Sequence, residues 1–393
     1  MNKRLFYFFY FVFILTCHLP VFKYFKSLMA NWVINFRKIK IGLLIFVQTF
    51  IQKLQLMQKA NITDIAEMTG LSITTVSRVL NGKAEQYRIG KKSQQKVKEA
   101  AKKLNYVPNL FASNLRTGKS GTIALIIPSL NNPFFAGIAS EINSAVRKFN
   151  YITIISDSDE NVDTEKMELL QLAARNIEGL IIVPCGDQWE HIKEIQDLGI
   201  PVICIDRYFE DIDIPFISTD NYEGAFNGTK YLIERGHTRI TCIQGLQGST
   251  PNRLRVKGFM DAMKEAGQEN YIITGDDFTF QNGYLETKLL LQLKERPTAI
   301  FALSNTIAMG CMKALKEKTL QIPKDISLIT FDDHPYLDYL STPLTCVEQP
   351  VKDISIMAVK FLLSLILGKS ISQSQVLLKP NLIVRDSVGA LGK

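Results

Sequence analysis

The chain has 393 residues, of which 46% are hydrophobic and 21% are charged. It is long enough for two or three domains with buried cores, and its composition excludes a disordered tail and a collagen-like fibre. The net charge of +8 is unevenly distributed, since residues 1–56 carry 8 basic and no acidic side chains and residues 57–120 carry 12 basic and 4 acidic ones. A basic N-terminal region, residues 1–120, followed by an acidic remainder indicates nucleic acid or an anionic surface as a partner.

Residues 1–56 form a hydrophobic, basic extension. An apolar run over residues 5–17 resembles a signal peptide, and a second run covers residues 41–51. Neither reaches the ~20 residues that cross a bilayer comfortably. We expect the working protein to begin near Met57; a membrane anchor is the second interpretation, and export of the whole chain is the third.

The six cysteines are scattered, without a CxxC pair or neighbouring histidines. This spacing predicts neither a zinc site nor a secreted disulfide framework. We expect buried, reduced thiols in a cytoplasmic protein. The cysteines are Cys17, Cys185, Cys204, Cys242, Cys311 and Cys346.

The segment after Ile62 is typical of two short helices joined by a tight turn. Thr63 is the predicted N-cap of the first helix, which ends at Gly70, a residue that tolerates the left-handed conformation of such a turn. Ser72 is the predicted N-cap of the second helix, which runs to about Asn81. The spacing predicts a helix-turn-helix, a DNA-binding motif.

The exposed face of the second helix carries the predicted base contacts. Arg78 suits the O6 and N7 atoms of guanine, although it could also be a solvated surface arginine, and Thr74 suits a base edge or a thymine methyl group. Ile73 is apolar at an exposed position, which favours contact with a thymine methyl group. The candidate DNA contacts on this helix are Ile73, Thr74, Ser77 and Arg78.

A third helix is predicted from about Lys91 to Leu104. It turns Val97, Ala101 and Leu104 inward and leaves most of its lysines outside. Such lysines are usually a solvated face, and some add salt-sensitive affinity for phosphates. They are Lys92, Lys96, Lys98, Lys102 and Lys103.

Residues 61–120 resemble the headpiece of the lactose-repressor (LacI/GalR) family of bacterial transcription regulators. The resemblance is carried by ITDIA at 62–66, TVSRVLNG at 75–82, YVPN at 106–109 and LRTG at 115–118, and it continues to about residue 387. It implies a hinge helix over 109–116, with Asn109 and Leu115 on DNA and Leu115 wedged into the minor groove by each subunit of a dimer.

Two positions depart from the family pattern. Gly90 stands where a capping serine is usual, and Ser113 stands where a hinge arginine is common. We therefore predict a weakly capped third helix and one missing phosphate contact. The predicted domains are the extension (1–56), the headpiece (57–107), the hinge and linker (108–120) and the body (121–393).

The body alternates apolar strands with amphipathic helices, which predicts an α/β fold with parallel sheets. The family resemblance implies two lobes like those of periplasmic sugar-binding proteins, joined by three crossings, with a ligand cleft at the carboxyl ends of the strands. The predicted strands cover 122–128, 151–156, 179–183, 202–205, 216–219, 239–243, 299–303 and 327–331.

Polar and aromatic side chains follow these strands, and together they suit a polyhydroxylated ring. The family resemblance adds weight to Arg255, Asn305 and Asp332. Thr306 stands where the family commonly has an aspartate, which removes a carboxylate, and Thr330 replaces a usual glycine. The candidate effector contacts are Asn132, Phe134, Arg207, Asp220, Arg255, Phe278, Asn305 and Asp332.

No catalytic, cofactor or metal motif is present. The run Thr117–Ser120 fails as a phosphate-binding loop because Ser113 occupies a required glycine position. His237 is expected to interact with a helix C-terminus rather than act as a base. The sequence thus predicts a homodimeric, cytoplasmic repressor that binds a palindromic operator under control of a sugar-like effector. The alternative is an exported or membrane-tethered sugar-binding protein.

Overall fold

The computed structural model describes residues 60–107 and 119–391. The chain divides between Leu110 and Phe111 into two compact units, here called the headpiece and the body. The predictions for residues 1–56, for Asn109 and Leu115, and for the rest of the hinge lie outside the described residues. Within the described part, no helix is long and apolar enough to cross a membrane.

The headpiece holds three short helices around one small core. Ile65, Val76 and Val97, one from each helix, are fully buried. Helices this short depend on such packing, because isolated helices of this length are marginal in water. The helices are α1 (Ile62–Thr69), α2 (Ile73–Leu80) and α3 (Lys91–Lys103).

The helix caps follow the sequence with one correction. The N-cap of α1 is Asn61 rather than Thr63: Asn61 Oδ1 accepts the Thr63 and Asp64 N–H groups at 2.7 and 3.1 Å, and Asp64 returns a bond to the Asn61 N–H. An amide side chain two residues earlier satisfies more of the free N–H groups. Gly70 has φ +69°, and Gly90 gives α3 no side-chain cap, as predicted.

The body consists of two lobes, each built on a six-stranded sheet with helices on both faces. The first sheet is parallel throughout, with strand order β11-β5-β4-β3-β1-β2. Its elements are β1 (Thr122–Ile127), α4 (Pro133–Arg147), β2 (Ile152–Asp157), α5 (Val162–Ala174), β3 (Gly179–Ile182), α6 (Glu190–Asp197), β4 (Val202–Ile205), β5 (Phe216–Thr219), α11 (Val351–Ile366) and β11 (Gln375–Leu378).

The second sheet has the order β12-β10-β9-β8-β6-β7, and only the pairing of β12 with β10 is antiparallel. Its elements are α7 (Asn221–Glu234), β6 (Ile240–Ile243), α8 (Thr250–Glu265), β7 (Tyr271–Thr274), α9 (Phe280–Leu290), β8 (Ala299–Ala302), α10 (Asn305–Glu317), β9 (Ser327–Phe331), a 3₁₀ helix (Pro335–Tyr339), β10 (Thr345–Glu348) and β12 (Asn381–Ile383).

The chain passes between the lobes three times, as predicted. The crossings follow β5 at Asp220, follow β10 at Gln349 and follow β11 near Lys379. In both sheets the strand order reverses next to the first strand, so the carboxyl ends of the strands open a crevice at that point. The two crevices face the cleft between the lobes.

Two features differ from the sequence predictions. The strands β7, β10, β11 and β12 were not predicted, because each is short and partly polar. His237 does not act as a helix-dipole partner: its ring nitrogens lie 3.0 Å from Thr298 Oγ1 and 3.1 Å from the Gly389 carbonyl. Burial lowers the pKa of His237, and a neutral imidazole gains little from a helix C-terminus.

Candidate functional site

The headpiece presents one face of α2 to solvent. Ser72 Oγ accepts the Thr75 N–H at 3.1 Å, and Val76 and Val79 lie in the core on the inner side. The four predicted DNA contacts share the outer side: Ile73 is 49% exposed, Thr74 is exposed, and Ser77 and Arg78 are partly exposed. An apolar side chain as open as Ile73 suits contact with a thymine methyl group.

Arg78 meets an aromatic ring that sequence reasoning missed. Its Cζ atom lies 3.8 Å from the centre of the Tyr87 ring. Nearby, the lysines of α3 form an exposed basic face of the kind that binds phosphates. These are Lys91, Lys92, Lys96, Lys98, Lys102 and Lys103.

In the body, a cleft lies between the lobes. Six of the eight predicted effector contacts line it. The cleft is lined by Asn132, Phe134, Phe135, Asp206, Arg207, Pro251, Arg255, Phe278, Ser304, Asp332 and Gln349.

Arg255 is the buried cation of this cleft. Its Nε donates to Asn221 Oδ1 at 2.8 Å and its Nη1 donates to the Leu303 carbonyl at 2.7 Å. Its guanidinium carbon lies 3.9 Å from the centre of the Phe331 ring. These contacts fix the guanidinium plane and leave the Nη2 donors without a partner among the described residues, so they can bind ligand oxygens.

Two carboxylates face Arg255 from opposite lobes. Asp206 follows β4 and Asp332 follows β9, both are nearly fully buried, and both adopt positive φ, at 62° and 70°. Burial raises the pKa of Asp206 to about 6, against the lowering effect of Arg255 and Arg207. Burial also raises the pKa of Asp332, against Arg255 and Gln349. Asp206 Oδ1 has no hydrogen-bond partner among the described residues, which leaves an acceptor for a ligand hydroxyl.

Asn305 and Asp220 are the two predicted contacts that do not line the cleft. Asn305 is 1% exposed, and neither of its side-chain polar atoms has a partner within residues 60–107 and 119–391. Its backbone N–H donates a hydrogen bond to Asp332. Asp220 caps α7, since its Oδ1 accepts the Glu223 N–H at 2.8 Å. Asn305 thus retains free hydrogen-bonding capacity beside the cleft, whereas one oxygen of Asp220 is used locally.

Arg207 lies in the cleft wall but is bound to the protein. Its Nη1 and Nη2 donate to the Glu160 carboxylate at 2.8 and 2.6 Å. Its Cζ also lies 5.8 Å from the centre of the Phe135 ring. This bidentate pair fixes Arg207 as a rigid wall of the first lobe.

The substituted residue Thr306 anchors an aromatic wall of the cleft. Its Oγ1 donates to the Phe278 carbonyl at 2.7 Å. The Phe278 ring lies flat on Gly245, where an added Cβ would come within 2.2 Å of the ring. At this position the chain therefore has a hydrogen bond that fixes Phe278, where the family commonly has a charged carboxylate.

Gln349 connects the cleft to two interlobe crossings. Its Nε2 donates to Asp332 Oδ1 at 2.6 Å, and its Oε1 accepts from Thr219 Oγ1 at 2.6 Å. Thr219 ends β5 directly before the first crossing, and Gln349 itself opens the second. This chain, here called the Gln349 relay, ties a cleft carboxylate to the hinge between the lobes.

The lobes also touch across the cleft mouth. Thr250 Oγ1 donates to the Tyr208 carbonyl at 2.8 Å, and Arg253 Nη2 lies 3.1 Å from Glu210 Oε1. The ion pair is more than half exposed on both sides and contributes little. The Thr250–Tyr208 hydrogen bond, with a small contribution from the Arg253–Glu210 ion pair, therefore connects the two lobes at the mouth of the cleft.

Comparison with known proteins decides the family. A model of bacterial regulatory proteins of the lacI family matches residues 61–109, and a periplasmic binding protein-like domain matches residues 229–388. The chain is 31% identical over 337 residues to the HTH-type transcriptional repressor PurR of Vibrio atlanticus, across 84% of this chain and 99% of the relative. The chain belongs to the LacI family. It is a DNA-binding transcriptional regulator.

Further LacI-family members agree with this assignment. The ribose operon repressor of Halalkalibacterium halodurans is 32% identical over 326 residues, covering 83% of this chain and 96% of the relative. The lac repressor dimer bound to operator and the anti-inducer ONPF aligns with TM-score 0.77 at 26% identity, over 85% of this chain and all of that one. A LacI-family regulator from Enterococcus faecium with bound ribose aligns with TM-score 0.64 at 26% identity, over 69% of this chain and all of that one.

Sequence reasoning left several residues of these sites unassigned. Gln349 follows a strand that was not predicted, so its place at a crossing was hidden. Glu160 and Tyr87 act through contacts with Arg207 and Arg78 that no helix or strand repeat predicts. Asp206 follows a predicted strand, and its position at a carboxyl end was the available indication.

Proposed function

We propose that this LacI-family regulator is a repressor that binds a palindromic operator as a homodimer and is controlled by a sugar or sugar derivative. The observation that carries the proposal is the presence, in one chain, of an exposed base-reading helix and a buried polar cleft between two lobes. The proposal includes no catalytic step, since the relatives bear the names of transcriptional repressors.

The DNA contacts would come from the outer face of α2. Arg78 would donate to guanine, Thr74 and Ile73 would meet base edges and methyl groups, and the α3 lysines would neutralise phosphates. From the family resemblance we add the hinge, where Leu115 of each subunit would wedge a base step open and bend the operator. The lac repressor relative is a dimer bound to operator, which supports this arrangement.

The ligand would bind between Arg255 and the carboxylates of Asp206 and Asp332. A vicinal pair of hydroxyl groups both donates and accepts hydrogen bonds, so it matches carboxylates and a guanidinium, and Phe134 and Phe278 offer apolar faces for the ring. The Enterococcus faecium relative with bound ribose supports a sugar over a nucleobase.

Two experiments with the purified chain test this function. Selection from random duplex DNA should enrich a pseudo-palindrome with a flexible central step. Thermal-shift measurements with pentoses, hexoses, nucleobases and nucleosides should identify a stabilising sugar, and that sugar should change the affinity for the selected DNA. A folded protein that binds a sugar but selects no DNA, with or without that sugar, would instead be a sugar-binding protein.

A further inference from the structure

An aromatic ring outside the helix-turn-helix lies against the arginine that faces DNA. Tyr87 belongs to the α2–α3 turn, residues 83–89, and its ring centre lies 3.8 Å from Arg78 Cζ. We propose that Tyr87 is a specificity-determining residue, which positions the Arg78 guanidinium for guanine. This inference rests on the proposed DNA-binding function and assigns a role to a residue outside the recognition helix.

The α2–α3 turn is held firmly enough to fix the ring. Ala84 is 5% exposed within the headpiece core, and Ile89 packs against the same core. The Ile89 N–H donates to the Ala84 carbonyl at 2.9 Å, and Gln94 of α3 donates to the Ile89 carbonyl at 2.8 Å. The backbone of Tyr87 is tied to the start of the turn by its own N–H, which donates to the Lys83 carbonyl. Tyr87 is therefore carried by an anchored segment.

The stack orients Arg78 without consuming its hydrogen-bond donors. Within residues 60–107 no carboxylate or carbonyl accepts a bond from its side chain, so all five N–H groups remain available. Reading guanine requires two parallel N–H groups aimed at O6 and N7. A guanidinium held against a ring loses less conformational freedom when it adopts that geometry. A carboxylate partner would fix the arginine too, but it would compete with the base.

Tyr87 itself is 45% exposed, so its replacement leaves the core intact. The energy of an exposed cation–π contact corresponds to a change in affinity of about two- to fivefold. If the ring positions Arg78, this loss should fall on the guanine contact. If the phenol hydroxyl binds a phosphate instead, the loss should be the same on every sequence, because phosphates carry no base identity.

The test uses the site selected by the wild-type chain, with each guanine pair replaced in turn by 7-deazaguanine, which lacks N7. The wild type should lose about tenfold in affinity at the position that Arg78 reads. In Tyr87→Ala the affinity for the unmodified site should fall about fivefold, and the 7-deazaguanine penalty should shrink to about twofold, because the contribution of the ring falls on the guanine contact. Tyr87→Phe should keep both values, and Gln86→Ala, an exposed change in the same turn, should match the wild type.

Two results would overturn the positioning role. One is an undiminished 7-deazaguanine penalty in Tyr87→Ala; the other is a Tyr87→Phe variant as weak as Tyr87→Ala on all sequences. Wild-type protein that selects no sequence at all would refute the DNA-binding proposal itself, so the two failures are distinguishable. Melting curves of each variant establish that the headpiece remains folded.

Discussion

Two buried side chains in or beside the cleft retain polar atoms that no described protein group satisfies. They are Asp206 Oδ1 and both polar atoms of the Asn305 amide. Leaving a buried polar atom unpaired costs about 1–3 kcal/mol. Ligand hydroxyl groups that form hydrogen bonds with these atoms would remove this cost. Asp206 and Asn305, which destabilise the protein without ligand, are therefore expected to contribute most to ligand affinity.

Arg78 and Arg255 should separate DNA recognition from ligand recognition. Arg78→Ala should reduce discrimination at one base pair by about 1–3 kcal/mol and leave ligand affinity unchanged. Arg255→Met, which keeps an apolar stem, should abolish ligand binding and leave the selected DNA sequence unchanged. Isothermal titration and competition binding measure the two effects. Equal losses in both assays from either change would contradict this division.

Ligand affinity should depend on pH through Asp206. A hydroxyl that donates to a carboxylate favours the ionised form, so affinity should rise as the pH increases through about 6, where Asp206 loses its proton, and level off above 7. Below that value affinity should fall by at most about tenfold per pH unit. Asp206→Asn should flatten the profile in titrations from pH 5 to 8, and the exposed control Asp213→Asn should not. A flat wild-type profile would be inconsistent with a hydroxyl bonded to Asp206.

At the level of elements, short helices depend on their end groups. Asn61 gives α1 a reciprocal cap that Thr63, an exposed residue two positions later, does not supply. Asn61→Ala should therefore cost about 1 kcal/mol of headpiece stability, whereas Thr63→Ala should cost little. Hydrogen exchange of the α1 amides measures the difference. Equal effects of the two changes would mean that Asn61 is not the stabilising cap.

The Gln349 relay joins a ligand-facing carboxylate to two crossings, so it belongs to the hinge as much as to the cleft. Gln349→Leu leaves Asp332 Oδ1 and Thr219 Oγ1 without this partner, which should cost about 1–3 kcal/mol of stability for each group. It should also weaken the effect of ligand on DNA affinity more than it weakens ligand binding. Gln373→Leu, an exposed replacement of the same kind, is the control. An unchanged ligand effect in Gln349→Leu would exclude the relay from the coupling.

The sequence predicts most elements of the sheets because buried parallel strands are continuous apolar runs. Val202–Ile205 has the predicted bounds for this reason, and so does Ser327–Phe331. Short strands such as Gln375–Leu378 escape prediction because tertiary pairing rather than local pattern makes them strands. The same distinction holds in the site: Arg255 and Asp332 follow from the family motif, whereas Tyr87 depends on a contact that no helix or strand repeat predicts, and Gln349 was hidden by an unpredicted strand.

For the whole molecule, the proposal requires that occupancy of the cleft change the affinity for DNA. A ligand can shift an equilibrium only by as much as it prefers one lobe arrangement over another. The Thr250–Tyr208 and Arg253–Glu210 contacts across the cleft mouth, together with the Gln349 relay, provide groups whose partners would differ between arrangements. Coupling of this kind is typically worth 1–3 kcal/mol.

The most direct test is a pair of operator-binding isotherms for the purified chain, recorded by fluorescence anisotropy with and without a saturating concentration of the sugar found in the thermal-shift screen. The account predicts that the two dissociation constants differ by about five- to 150-fold, and that Arg255→Met removes the difference. Identical isotherms at ligand concentrations that saturate the cleft would show that ligand and DNA bind independently, and would contradict the account.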